Sequence, residues 1–254
     1  GGKKMNLETQ VKNYDEAYRN GNALISDKEF DELEKKLFTF KPESDYFKQQ
    51  LTLPTLQKGT VDEFIKGLPK GTQVLVQPKY DGVAVAIKYR NGFLQKAITR
   101  KGKDITDHIV RIKTIPLYIP IDSELVVRGE LYAKDYLGSV SQRIAGGYIR
   151  NICKNPNDYL PNPKLTFAAF EIINSNLAQI NQCKYLSRLN FHTARWSLTD
   201  IKYLKDFMYK YLHKKLWNNI PIDGIVVKIN SRKEQIAREK QYDLFPYSKM
   251  AIKY

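Results

Sequence analysis

The chain has 254 residues, carries 42 Lys+Arg against 27 Asp+Glu for a formal charge of +15, and is 42% hydrophobic, 12% aromatic and 27% charged. That composition supports a buried core and excludes a disordered or fibrous chain. Its longest apolar runs are only a handful of residues and Gly1–Met5 lacks the apolar segment of a secretory signal, so a transmembrane helix is excluded and an intracellular setting is expected.

Cys153 and Cys183 are too few to form a structural zinc site alone and read as ordinary thiols. Gly1 and Gly2, ahead of Met5, read as a remnant outside the functional sequence. Excess Lys and Arg favours a polyanion, because each phosphate contact releases condensed counterions; a basic solvated surface is the plainer alternative. The charge is unevenly placed. Residues 1–52 hold 9 basic and 10 acidic side chains, leaving 33 basic and 17 acidic beyond them. A near-neutral module therefore precedes a basic body.

Leu7, Val11, Tyr14 and Tyr18 recur at helical spacing and the run stops at Gly21, which predicts a helix over 6–19. A second helix opens at the capping box Ser26-Asp27-Lys28-Glu29 and continues through Phe30, Leu33 and Leu37. Asp27 and Asp31 share a face of it, a like-charge spacing that costs a few tenths of a kcal/mol in a free helix unless a cation compensates. Spacing alone favours dipole complementation by Asp27 and solvation of Asp31; a carboxylate pair facing a cation is the functional alternative. Residues 41–54 read as a linker, and Thr60-Val61-Asp62-Glu63 caps a short helix reaching about Leu68.

Strands follow over 72–76, 83–89 and 94–99, the last two joined as an antiparallel hairpin by Asn91-Gly92. Lys79-Tyr80-Asp81-Gly82 falls between the first two and reads as a turn bearing a lysine beside an acid. A lysine amine attacks phosphorus only when neutral, so its free pKa of about 10.4 has to be lowered by nearby cations or burial. Alone the tetrapeptide is an ordinary turn. Further strands are predicted at 125–132 with Glu130, at 167–173 with Phe170 and Glu171, at 222–229 with Lys228, and at 250–254 with Lys253. A lysine inside an apolar strand needs an anion, and two of them would suit one phosphate while depressing the pKa of Lys79. The helix over 202–215 is basic, with Ile201, Leu204, Met208 and Leu212 expected in the core. His108, His192 and His213 show no ligand or triad spacing.

Taken in order, these segments resemble the covalent nucleotidyltransferases: DNA ligases, RNA ligases and capping enzymes. Lys79-Tyr80-Asp81-Gly82 is similar to motif I, Val127-Arg128-Gly129-Glu130 to motif III, Phe170-Glu171 to motif IIIa, Asp223-Gly224-Ile225-Val226-Val227-Lys228 to motif IV and Ala251-Ile252-Lys253 to motif V. Thr99-Arg100, Ile115-Pro116 and Glu234-Gln235-Ile236 resemble the NAD-dependent DNA ligases most. Ile25 to Leu33 is similar to the helical module of those enzymes, in which a tyrosine and two aspartates hold nicotinamide mononucleotide. The cation that the acid pair lacks would be the nicotinamide ring.

The resemblance implies an α+β chain: a helical domain over 5–52 and a nucleotidyltransferase domain over 53–254 built on antiparallel sheets, the DNA ligase/mRNA capping enzyme adenylation fold. It implies that Lys79 attacks the α-phosphorus of NAD to give lysyl-AMP and release nicotinamide mononucleotide (NMN), and that AMP then passes to the 5′-phosphate of nicked double-stranded DNA, in DNA repair and replication. Carried over residue by residue, Asp81 orients the site and Tyr18, Asp27, Phe30 and Asp31 hold the mononucleotide. Phe170 stacks on adenine, Gln77 and Arg100 contact the nucleoside or phosphate, Glu130 the ribose, and Lys228 and Lys253 the phosphate. Magnesium is expected to shield the phosphates, without ligands that the sequence singles out. The setting implied is the cytoplasm of a bacterium or of a phage- or virus-infected cell.

Departures mark a divergent member of viral or phage kind. Gln77 replaces a glutamate, Phe30 a tyrosine, Arg19 a histidine, and residues 140–150 keep only the outline of an Asn-Pro-Arg-Asn run. The sequence reaches only motif V, so an adenylation fragment or one subunit of a split ligase is expected, self-adenylylating but sealing nicks poorly without an OB-fold-containing C-terminal part or second subunit. The alternatives are an ATP-dependent polynucleotide ligase or capping-type enzyme, which lacks the Asp27/Asp31 module, and a catalytically inactive basic nucleic-acid-binding module, in which the strand lysines would be costly.

Overall fold

In a computed structural model that describes residues 6–19, 24–41, 44, 46, 56–154, 164–213, 216–241 and 248–252, two helices lead, α1 (Leu7–Arg19) and α2 (Asp27–Phe40). The capping box forms as the sequence predicts: the Ser26 hydroxyl accepts from Glu29 N–H, and the Glu29 carboxylate accepts from Ser26 N–H at 2.9 Å. Such a cap is worth about 1 kcal/mol. Val11, Leu37 and Tyr46 are buried together, with Leu7, Phe30 and Leu33 packed against them. Glu8 ties the pair of helices, bridging Lys12 at 3.0 Å and Lys41 at 2.7 Å. Most of the expected linker, all but residues 41, 44 and 46, lies outside the described residues.

Beyond residue 56 the strands form two sheets. The first has the order β1 (Lys58–Gly59), β9 (Lys249–Ile252), β8 (Ile222–Ile229), β2 (Gln73–Tyr80), β7 (Ser197–Asp200). The second has the order β4 (Phe93–Thr99), β3 (Val83–Arg90), β5 (Glu124–Ala133), β6 (Leu165–Ile172). Every pairing is antiparallel except β1 with β9. Helix α3 (Val61–Ile65) precedes β2 and stops short of the predicted Leu68, because Gly67 turns the chain at φ +75°. The β3–β4 hairpin turns at Asn91 and Gly92, both with positive φ, which matches the right-handed twist of the strands.

Each sheet has its own core. Val74 and Val76 of β2 and Ile225, Val227 and Ile229 of β8 pack with Phe64 and with α7 (Leu204–His213). Val85, Ile87 and Tyr89 of β3 and Val127 and Leu131 of β5 pack with α5 (Ser139–Lys154) and α4 (Thr106–Ile109). On α7 the buried residues are Leu204, Met208 and Tyr211, while the predicted core residue Leu212 is 46% exposed: it sits one residue past the i, i+4, i+7 stripe. Helices α6 (Gln179–Arg188) and α8 (Arg232–Gln241) complete the body. No helix among the described residues is long and apolar enough to cross a membrane.

One difference from the sequence reading bears on the site. Strand β2 does not end at Val76; its ladder with β8 continues through Gln77↔Val226 and Pro78↔Ile225 to Tyr80↔Ile222. Lys79 is thus held on a strand, and only Asp81 and Gly82 carry the chain across to the second sheet. Gly82 is required by close approach, because a Cβ there would lie 2.2 Å from the Leu131 carbonyl oxygen.

Candidate active site

Alternation along β2 decides which side chains face away from the core. Val74 and Val76 point into it, so Gln77 and Lys79 project from the opposite face. The Lys79 ammonium donates to Asp223 Oδ1 at 2.8 Å, with both side chains roughly a quarter exposed (27% and 28%). Asp223 comes from the start of β8, beside β2 in the same sheet. Asp81 is 8% exposed, and its N–H donates to Pro221 O at 3.0 Å, which pins the crossing to the strand that carries Asp223.

From the second sheet comes Glu130, opposite Ala84 on β3. Burial raises its carboxyl to about 8, and the negative charges of Asp223 and Asp81 add to the rise, whereas Lys79 and a hydrogen bond from Gly82 N–H oppose it. Glu130 is therefore largely protonated at neutral pH and gains by meeting a cation or a hydroxyl. Partly buried carboxyls with a raised pKa and a lysine nearby mark functional sites more often than structural ones.

The two sheets are joined by a compact charge cluster. Glu171 accepts from Arg128 Nη1 at 3.2 Å and from the Lys249 ammonium. Its burial would raise the carboxyl, but Lys249, Lys228 and Arg128 outweigh burial and hold it well below the usual carboxylate range. Lys228 is 2% exposed, donates to Phe170 O at 3.2 Å and lies 5.0 Å from the centre of the Phe170 ring. Burial lowers this lysine to about 8; Lys249 and Arg128 act in the same direction, and Glu171 and Cys183 act against it. Sequence reasoning placed Lys228 in an apolar strand in need of an anion, and Glu171 is an internal one.

The other expected residues are placed as follows. Gln77 is 2% exposed, and its amide donates weakly to Cys183 Sγ at 3.7 Å; burial pushes that thiol up. Phe170 is partly buried at the junction, and Arg100 is exposed at the end of β4, where its N–H donates to Ala84 O at 3.0 Å. Phe30 is partly buried in the α1–α2 core, so in this structure it serves the packing of the helix pair. Tyr18, Asp27 and Asp31 lie on α1 and α2, with side chains outside the described residues, as is the whole of Lys253. His192 has its pKa lowered by burial and by Lys134 and Arg195, and the His213 ring packs at a tilt against Tyr209, with centroids 4.3 Å apart. No group of three or more His, Cys, Asp or Glu among the described residues is arranged to hold a metal.

Sequence reasoning missed Asp223 as the partner of Lys79, and Arg128, Glu171 and Lys249 as one cluster. Motif neighbours pointed to Asp223, but pairing across strands 144 residues apart is a matter of register, which no local pattern reveals.

Residues 53–138 match the family model of the NAD-dependent DNA ligase adenylation domain. The chain is 26% identical over 306 residues to a protein named DNA ligase from Metamycoplasma arthritidis, covering 98% of this chain and 45% of that protein. It is 31% identical over 137 residues to a DNA ligase of Borrelia hermsii, covering 52% and 20%. Among solved structures, an archaeal ATP-dependent RNA ligase is 15% identical, covers 80% of this chain and 48% of that one, and has a TM-score of 0.49. The chain thus spans less than half the length of the bacterial relatives it matches. Residues 53–138 are thus similar to the adenylation domain of NAD-dependent DNA ligases, and similarity to bacterial proteins named DNA ligase extends over nearly the whole chain.

Proposed function

We propose that the chain charges itself with AMP from NAD as the first half of DNA nick sealing. The Lys79 amine, after passing its proton through Asp223 to water, attacks the α-phosphorus of NAD. A phosphorus–nitrogen bond forms and the phosphorus–oxygen bond to NMN breaks, giving lysyl-AMP and free NMN. The carrying observation is the 2.8 Å pair of Lys79 with Asp223, on a strand that also places Gln77 on the same face. Glu130 takes the ribose hydroxyls, Phe170 the adenine ring, Arg100 and Gln77 the nucleoside or phosphate, and Lys228 and Lys253 the phosphate charge. Asp81 anchors the crossing that orients Lys79.

Residues 5–52 serve as the NMN module, to which Tyr18, Asp27, Phe30 and Asp31 belong by sequence, and 53–254 as the nucleotidyltransferase domain. Magnesium, which takes most of its ligands from water and nucleotide phosphates, would need only one carboxylate here, and Asp223 beside Lys79 fits that need. The ion supplies neutralisation of phosphate charge. AMP then goes to the 5′-phosphate of nicked double-stranded DNA, with an OB-fold-containing part or second subunit completing the grip.

Intact-mass measurement with magnesium and either NAD or ATP tests this. One adenylate gained from NAD, none from ATP and none in Lys79→Ala is expected, and Asp27→Ala should lose NAD use. Labelling from ATP with NAD inert would overturn the NAD assignment.

A further inference from the structure

Lys228 and Lys249 are direct partners across β8 and β9, so two like charges stand side by side on one face of the first sheet. Opposed like charges on neighbouring strands destabilise a sheet. Here Lys228 is 2% exposed and the Lys249 side chain 16%. Arg128 and Glu171 are likewise direct partners, across β5 and β6 of the second sheet. The Glu171 side chain, 7% exposed, reaches Lys249 across the junction while holding Arg128 at 3.2 Å. Three cations from three strands thus lie around one carboxylate from a fourth.

From this geometry we infer that Glu171 is a positioning residue for phosphate binding: by bridging Arg128 and Lys249 across the two sheets, it keeps Lys228 charged and fixed at the junction. This rests on the reading of Lys228 as a phosphate contact. A neutral Lys228 would offer a phosphate little, and with burial and two neighbouring cations against its proton, Glu171 is the main group that retains it. The groups facing Lys228 are Glu171 from β6, Lys249 from β9, Arg128 from β5 and Cys183 from α6. Glu171 and Lys249 therefore push its titration in opposite directions, and removing each should move it oppositely.

The test uses the full chain with 13C-labelled lysine. The Lys228 signal is assigned by its loss in Lys228→Arg and followed through a pH titration in the unaltered chain, in Glu171→Gln and in Lys249→Gln. The expected midpoint is about 8 in the unaltered chain, lower in Glu171→Gln and higher in Lys249→Gln. In parallel, the alkaline limb of the adenylylation rate should shift to lower pH in Glu171→Gln and to higher pH in Lys249→Gln, with the Glu171→Gln loss appearing in KM for NAD more than in kcat. A merely structural role would not move the two variants in opposite directions. Shifts of the same sign, or none, in the lysine titration would overturn the inference whether or not the chain reacts with NAD. Failure of the unaltered chain to gain AMP would instead count against the adenylation reading.

Discussion

Replacing Glu130 by glutamine should make the fold less sensitive to alkali. Burial raises this carboxyl from 4.5 to about 8 in the folded chain. A group whose folded pKa is raised contributes stability that is complete below its unfolded value and is lost as pH climbs through the folded value. The window here runs from 4.5 to about 8. At about 1.4 kcal/mol per unit, the loss amounts to at most about 5 kcal/mol. Glutamine has no proton to lose. The stability of Glu130→Gln, relative to the unaltered chain, should therefore rise by about 3 to 5 kcal/mol between roughly pH 4.5 and 9. Urea unfolding at stepped pH reads this directly, and the difference between the two chains cancels groups common to both, such as His192. Parallel stability curves would refute the reasoning, because they would mean that Glu130 titrates alike in the folded and unfolded states. The same variant should react poorly with NAD at every pH, so stability and activity part company at this residue.

Gly82→Ala would set a Cβ 2.2 Å from the Leu131 oxygen and 2.9 Å from its carbon; it should destabilise the chain by about 1–3 kcal/mol and slow adenylylation, since the crossing beside Lys79 must shift. Arg238 donates to Lys66 O at 2.9 Å and Phe64 O at 2.8 Å, closing the C-terminal end of α3. Arg238→Ala leaves those carbonyls without these donors and should cost about 2–4 kcal/mol, read as a lowered urea midpoint with an unchanged adenylation rate well below it. Breaking the α2 capping box with Ser26→Ala should cost about 1 kcal/mol, read as lost helical signal at intermediate urea; no change would mean that the cap adds nothing in the full chain.

Local signals carried much of the fold. Both capping boxes stand where Ser26 and Thr60 announce them, and the Asn91-Gly92 turn joins β3 to β4. Non-local facts were less legible. That β2 and β3 belong to different sheets follows from which strands each finds as partners, and β2 outruns its predicted end at Val76 because its ladder with β8 continues through Pro78. Lys79 was legible as the candidate nucleophile through its motif, yet its partner Asp223 was set by the β2–β8 register. Lys228 was legible as a lysine short of an anion, whereas Glu171 as that anion required the two sheets to meet. Helices α5 and α6 were not predicted, and Gly146-Gly147 inside α5 argues locally against a helix.

The central claim is a covalent bond at one named nitrogen. The chain, incubated with NAD and magnesium, is digested and the AMP-bearing peptide sequenced by mass spectrometry while released NMN is counted. The account predicts a single AMP on Lys79, one NMN per adenylate, and no such product in Lys79→Ala. AMP on another residue, or adenylation without NMN release, would contradict it.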